Sequence, residues 1–584
     1  MFLQYVLIGL GIGGIYALAG QGVVLVYRGS GVVNFAVGPM AMVGAFTFYE
    51  AQGAGWSPIA AAGAGVILPS VIGALTYLLV MRRLADATPL VRVVAILAVS
   101  ALLLALAAGK YGDFPYLVRP LLPQEPVAWI ANAAGSDVEV TADRMWLFLL
   151  GAAVSAVCWA VYKFTRFGLV TRAVAEKPMA AATLGRSPHI VGTVNWAIGG
   201  ALAGLSGLLL VGITGLAVGQ FNLLMVPALA AALLGRFQSF PLTWITGVTM
   251  GVVETLLNSN ASWLPEFLTQ PGWAASVPFL VIIGVLVARG ETLPSRSFVI
   301  QRQPHAGTGR VRWLVVAPGV LLAVIFGTGL ASIGYPGAPL GWVLAGTQSL
   351  AVATIALSLV VVTGYAGQLS LAQYSLAGVG AFVAARLASG TSILGIDLGG
   401  PVPFLLAVLA AAIVTVIVGI LIALPALRTR GVNLAIVTLG MAVVIDNLVF
   451  SNSHYTGGTT GTQVGAPSLL GIDLDPLIYP RRYWVLALVT FVLVALVVTN
   501  LRRSATGRQL LAVRGNERAA ASLGISVGGV KVFAFAVASL IAAIGGVMLA
   551  FQTATIQFTQ YGSMASISLV VNGVIGGIAS WRHR

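Results

Sequence analysis

Charge is scarce in this 584-residue chain: Asp, Glu, Lys and Arg together make up 8% of it, and only 16 residues are acidic. A soluble globular domain carries about 25% charge, so this chain has too little to cover a water-facing surface. Cysteine is scarcer still. The single Cys158, inside GAAVSAVCWAVY, excludes an internal disulfide and reads as a small packing residue. The four histidines, His189, His305, His454 and His583, are too scattered to offer metal-ligand spacing. No G-x-x-x-x-G-K-[ST] phosphate loop occurs. No catalytic triad or pair of carboxylates stands out either, so the chain is not read as an enzyme, and no cofactor is expected.

Apolar length fills the space that charge leaves. Hydrophobic residues make up 58% of the chain, and runs of 18 or more recur, as membrane-spanning helices require. The 71 glycines fit helices whose backbones approach closely. Spans are predicted near 4–27, 34–52, 58–80, 91–109, 145–162, 190–214, 221–235, 241–258 and 276–288, the seventh short or re-entrant. Further spans are predicted near 313–331, 341–363, 369–388, 403–426, 432–450, 483–500, 532–551 and 563–577. The fold class is therefore an all-α polytopic membrane protein with about 17 membrane segments. MFLQYVLIGLGIGG at the start lacks a basic region and a cleavage site, so it reads as the first span.

The net charge of +15 is not spread over a nucleic-acid-binding face. Segment 163–189 holds five bases, 289–312 five and 501–531 six, whereas 110–144 holds five acids against three bases. Basic loops stay on the cytoplasmic side, and an outside N-terminus puts every basic loop inside without contradiction. No nucleic acid is needed to explain the charge.

Two of these polar islands are copies of each other. GLVTRAVAEKPMAAATLGRSPHIV (168–191) aligns without a gap on GRQLLAVRGNERAAASLGISVGGV (507–530), with Ala180-Ala181-Ala182 on Ala519-Ala520-Ala521 and Leu184-Gly185 on Leu523-Gly524. The repeat is wider: VVNFAVGPMAMV aligns with QLSLAQYSLAGV, and Gly44-Ala45-Phe46 with Gly380-Ala381-Phe382. The extra span at 313–331 carries the chain back outside, so two homologous bundles run parallel and both islands face the cytoplasm. The expected organisation is a first half at 1–289, a cytoplasmic linker at 290–312, and a second half at 313–584 lacking its last two spans.

The islands, with GYAGQLSLAQYSLAGVGAF (364–382), VVNFAVGPMAMVGAF (32–46) and HYTGGTTG (454–461), resemble the permease subunits of branched-chain amino acid ABC importers. Residues 1–289 look like one of the two homologous subunits, departing from its pattern at Val37 and Pro39, and about 313–580 like the other. The resemblance implies import of hydrophobic amino acids at a bacterial inner membrane. It also implies two separate ATPase subunits and an extracytoplasmic substrate-binding protein as partners, with lipid around the bundle. Related permeases carry urea or short amides.

Work against a gradient needs an energy source. Glu254 and Asp446 are the plausible ionisable groups within spans, too few for an ion-coupled secondary transporter to be favoured. In the resembled family, segments like the islands form coupling helices that dock on the ATPases. The candidate coupling residues are Gly168, Arg172, Glu176, Ala180 and Gly185 in the first copy, and Gly507, Arg514, Glu517, Ala519 and Gly524 in the second. Alanine favours helix, glycine ends it, and the charged residues offer charge-assisted contacts to a partner. Asn34, Gln368, Ser370 and Gln373 are candidate pathway residues. They can hydrogen-bond a zwitterionic solute, or equally bond backbone across helices. Gly9, Gly11 and Gly14 satisfy G-x-G-x-x-G but lie within a span, where they read as packing residues.

Overall fold

An apolar segment in lipid has no water to satisfy its peptide groups, and the helix is the local solution. The computed structural model describes residues 2–85, 87, 89–112, 114–126, 140–259, 264–270, 272–289, 311–329, 335–391, 400–429, 432–469 and 471–577. Residues 290–310, most of the expected linker, lie outside the described residues, as do 578–584. The chain divides into two units, Met1–Gln301 and Arg302–Arg584.

The first unit holds α1 (Phe2–Ser30), α2 (Val37–Gly53), α3 (Pro58–Leu75), α4 (Pro89–Tyr111), α5 (Ala142–Phe164), α6 (Arg166–Glu176), α7 (Pro178–Thr183), α8 (Pro188–Thr214), α9 (Met225–Leu234), α10 (Phe240–Asn258) and α11 (Trp273–Arg289). The second holds α12 (Trp313–Thr328), α13 (Leu340–Leu359), α14 (Gln373–Ser389), α15 (Phe404–Leu427), α16 (Val432–Ile445), α17 (Pro480–Arg503), α18 (Ala505–Gly515), α19 (Glu517–Ser522), α20 (Val527–Ala550) and α21 (Ser563–Ile575). Each of α3, α13 and α16 continues into a π-helical turn, ending at Met81, Tyr365 and Phe450.

Every predicted span lies on a helix, but among the described residues eleven helices are long and apolar enough to cross a membrane. The other six spans fall on shorter helices. At 1.5 Å per residue, a helix of 17 residues reaches only about 26 Å, short of a hydrocarbon core of about 30 Å. The span at 221–235 is broken, with a short turn at Gln220–Leu223 before α9. The sequence shows apolar length but not where a loop cuts into it.

Both units are built around the long helix that follows the island. In the first, α8 packs on α1, α2 and α3; in the second, α20 packs on α13, α14 and α15. One contact is the same in both. A Cβ on Gly207 of α8 would lie 2.0 Å from the Ala41 carbonyl oxygen, and one on Gly546 of α20 would lie 2.0 Å from that of Ala377. Only glycine permits so close an approach, which suits helices that associate by packing rather than by water exclusion. The outer faces are apolar. Leu405, Leu409, Ile413, Ile417, Leu421 and Leu424 form an exposed stripe along α15, a surface that water would not tolerate and lipid does.

Short strands pair Thr462–Gln463 with Thr555–Ile556, and Ser468–Leu469 with Ile472–Asp473. They leave the class all-α. The stretch 456–461 forms a turn, with Gly457, Gly458 and Gly461 at φ of 73°, 60° and 75°.

Candidate functional site

The two islands have one architecture. A hydroxyl opens each: Thr165 Oγ1 accepts from the Gly168 N–H at 3.3 Å, and Ser504 Oγ from that of Gly507 at 3.1 Å. Gly168 and Gly507 are buried, and a side chain is excluded at both because a Cβ would strike the Tyr162 and Leu501 carbonyl oxygens, at 2.3 and 2.0 Å. The next helix in each copy buries matching positions, Thr171 and Val174 in α6, Leu510 and Val513 in α18. The chain then breaks and restarts. Pro178 starts α7, with φ already preset, while Asn516 Oδ1 caps α19 by accepting from the Arg518 and Ala519 N–H groups.

Each short helix ends in a left-handed glycine, Gly185 at φ 75° and Gly524 at φ 79°. The Arg186 N–H reaches back to the Ala181 carbonyl at 3.0 Å, and the Ile525 N–H to that of Ala520 at 3.1 Å. This closes a six-residue ring that satisfies the last carbonyls. Ala181 and Ala520 are the buried anchors, packed with Val174 and Val191 in one copy and with Val513 and Val530 in the other. Ala180 and Ala519 face outward and are exposed.

Three of the four candidate charged contacts are bonded within their own unit. Arg172 Nη2 donates to the Tyr162 carbonyl at 2.6 Å. Arg514 Nη1 donates to the Gly364 carbonyl, and burial lowers the pKa of its guanidinium. Glu517 pairs with Lys531 at 2.8 Å, both largely withdrawn from solvent. Glu176 stays exposed. Each island also presents an apolar side chain outward among its exposed polar ones: Leu184 is 79% exposed and Leu523, its counterpart in the repeat, 78%. In the sequence, charged residues were named for the outward role and these leucines were not, although the repeated Leu-Gly pair marks them.

The candidate pathway residues lie in the unwound stretches between α1 and α2 and between α13 and α14, with Gln373 the first residue of α14. Asn34 is buried, its Oδ1 accepting from the Ala36 N–H at 2.9 Å. Gln373 Nε2 donates to Ser370 Oγ at 3.1 Å, and Gln368 Nε2 to the Ala366 carbonyl at 3.4 Å. Thr438 of α16 pins this second stretch, its hydroxyl accepting from the Leu371 N–H at 3.0 Å. The side-chain carbonyls of Gln368 and Gln373 are buried without a hydrogen-bond partner. Buried amide acceptors are costly to leave unmet, and here two sit in one short segment.

The intramembrane carboxylates have local partners. Glu254 accepts from the Tyr16 hydroxyl at 2.9 Å, and Asp446 accepts from the Ser563 N–H at the start of α21. Among the described residues, no three His, Cys, Asp or Glu side chains gather as metal ligands.

The family described as branched-chain amino acid transport system / permease component matches residues 5–286 and again 343–582. Among relatives, the chain is 28% identical over 255 residues to the high-affinity branched-chain amino acid transport system permease protein LivM of Salmonella typhimurium, covering 40% of this chain and 58% of that protein. It is 24% identical over 300 residues to LivH of Escherichia coli, covering 48% of this chain and 94% of that protein. It is 26% identical over 267 residues to BraD of Pseudomonas aeruginosa, covering 43% and 85%. The chain thus spans little more than half the length of the LivM protein it matches. No solved structure matches it.

Proposed function

We propose, because this chain belongs to the branched-chain amino acid transport permease family, that it is the membrane-spanning component of an ATP-driven importer for branched-chain amino acids. It is a multi-pass inner-membrane protein with two permease domains in one polypeptide. The substrate class follows that of its relatives LivM and LivH. Two separate ATPase subunits supply the energy, and an extracytoplasmic binding protein delivers the solute.

The observation that carries this reading is the pair of islands, each a helix, a break, a short helix and a left-handed glycine, with an exposed leucine at the same place. A short rigid helix that presents an apolar side chain outward is suited to a groove on a partner, where a buried aliphatic anchor gives affinity and the polar rim gives orientation. When ATP closes the partner dimer, the two islands are drawn together and the bundles rock to expose the pathway alternately. The unwound stretches holding Asn34, Gln368 and Ser370, with Gln373 at the start of α14, are suited to the solute, since their buried amides can exchange a strained or unmet bond for one to its ammonium or carboxylate.

The test is co-purification with the cognate ATPase subunits and stimulation of their hydrolysis by leucine-loaded binding protein. A folded chain that neither binds nor stimulates them overturns the assignment.

A further inference from the structure

The second island is bonded directly to the stretch that carries Gln368, Ser370 and Gln373. The π-helical turn after α13 ends at Tyr365, and its last carbonyls have no partner further along the helix. Arg514, in the last turn of α18, donates to one of them, that of Gly364. The arginine stem also packs on the next turn of chain. Gly367 has φ 68°, and a Cβ there would lie 2.8 Å from Arg514 Cγ. Ala366, between these two contacts, belongs to the same buried cluster as Leu510, Val513 and Ala520 of the island. Gln368 follows at once, its N–H held by the Val362 carbonyl at 2.9 Å and its carbonyl by the Thr363 hydroxyl at 3.1 Å.

The first unit is built otherwise. Aligning the islands puts Ala175 at the place of Arg514. There the end of α1 is held from α8, where Trp196 Nε1 donates to Ser30 Oγ at 3.0 Å. The island-to-loop bond through an arginine is therefore a feature of the second unit.

We infer that Arg514 is a positioning residue, transmitting displacement of the second island to the 364–373 stretch and so to its buried glutamines. A planar, multiply donating guanidinium clamps a helix end more rigidly than a flexible ammonium does. Its aliphatic stem against Gly367 adds a steric contact that resists sliding. Movement of α18 then carries Gly364 and Gly367 with it, while Thr438 holds Leu371 from the other side. The stretch is thus held at both ends and bends between them. This inference rests on the coupling role proposed for the islands.

The experiment reconstitutes the chain with its cognate ATPase subunits and leucine-loaded binding protein in proteoliposomes, and measures leucine moved per ATP hydrolysed. Arg514→Ala is expected to keep ATPase binding but lower that ratio about tenfold, the size of an ordinary coupling between sites. Arg514→Lys is expected to restore part of it, and Arg514→Met, which keeps the stem without the donors, less. A second readout covers a variant that folds poorly. In a Cys158→Ser background, the thiol-modification rate of Gln368→Cys should change on ATP addition with Arg514 present, and not with Arg514→Ala. A ratio and a modification response equal to those of the parent overturn the inference while leaving the coupling role in place. A parallel fall in ATPase binding reduces Arg514 to a structural cap and also overturns it. A parent chain that binds no ATPase removes both readings.

Discussion

The Glu517 carboxylate meets the Lys531 ammonium at 2.8 Å, with 17% and 3% of their side chains exposed. The pair ties the first residue of α19 to the first turn of α20. A carboxylate that reads as a partner contact in sequence is in fact spent on holding the island to its own bundle.

Removing one member strands the other. Glu517→Ala should cost about 3 kcal/mol, because an uncompensated charge is left near the protein interior. The double variant Glu517→Ala/Lys531→Met should recover most of that loss, because no buried charge remains. Thermal unfolding in detergent checks both, and equal losses in single and double variants would contradict the account.

Leu184 and Leu523 should be neutral to folding and decisive for docking. Both are almost fully exposed, so Leu184→Asp and Leu523→Asp lose no packing inside the chain. Each should weaken ATPase binding by at least about 2 kcal/mol, the usual cost at an anchoring position. Titration of the purified subunits against the reconstituted chain gives the number. Glu176→Gln, exposed but polar, should change it far less.

The islands were legible because a repeat is visible without knowing what it does: two copies of Ala-Ala-Ala-x-Leu-Gly predict two short helices with glycine ends. The direction of each side chain was not legible. Arg172 bonds the Tyr162 carbonyl at the end of the preceding helix, whereas Arg514 turns inward to the Gly364 carbonyl, a neighbour that comes from another part of the chain. The break near Gly364 was legible, since one predicted span ends at 363 and the next begins at 369, but the group that holds it was not. Thr438, far along the sequence, supplies a bond to the Leu371 N–H where the helix is lost. Six predicted spans fall on helices of fewer than 18 described residues, because hydropathy counts apolar residues and does not register where the backbone turns.

The repeated close contact gives a matched pair of packing tests. Gly207→Ala and Gly546→Ala each place a methyl group 2.0 Å from a backbone oxygen, and backbone cannot rotate away as a side chain can. Each should cost up to about 3 kcal/mol, as overpacked cores do. Gly319→Ala in α12, where a Cβ would meet nothing within 4 Å, should stay within about 1 kcal/mol of the parent. Unfolding temperatures of the three variants in one detergent separate close approach from glycine content as such.

Gly185 and Gly524 test backbone conformation without packing. A Cβ at either meets nothing within 4 Å, but both sit at positive φ. Substitution by alanine should therefore cost about 1 to 2 kcal/mol of local stability through the left-handed conformation alone. Asparagine, which enters that region more readily, should cost less. The penalty falls on the ring closed by Ala181 and Arg186, or by Ala520 and Ile525, so the short helix frays while the bundle stays folded. Hydrogen exchange should show faster exchange confined to Arg186 and Ile525, with ATPase binding weakened in alanine variants and largely kept in asparagine ones. Equal binding by all four variants would mean that the partner recognises the leucine without needing the helix end that aims it.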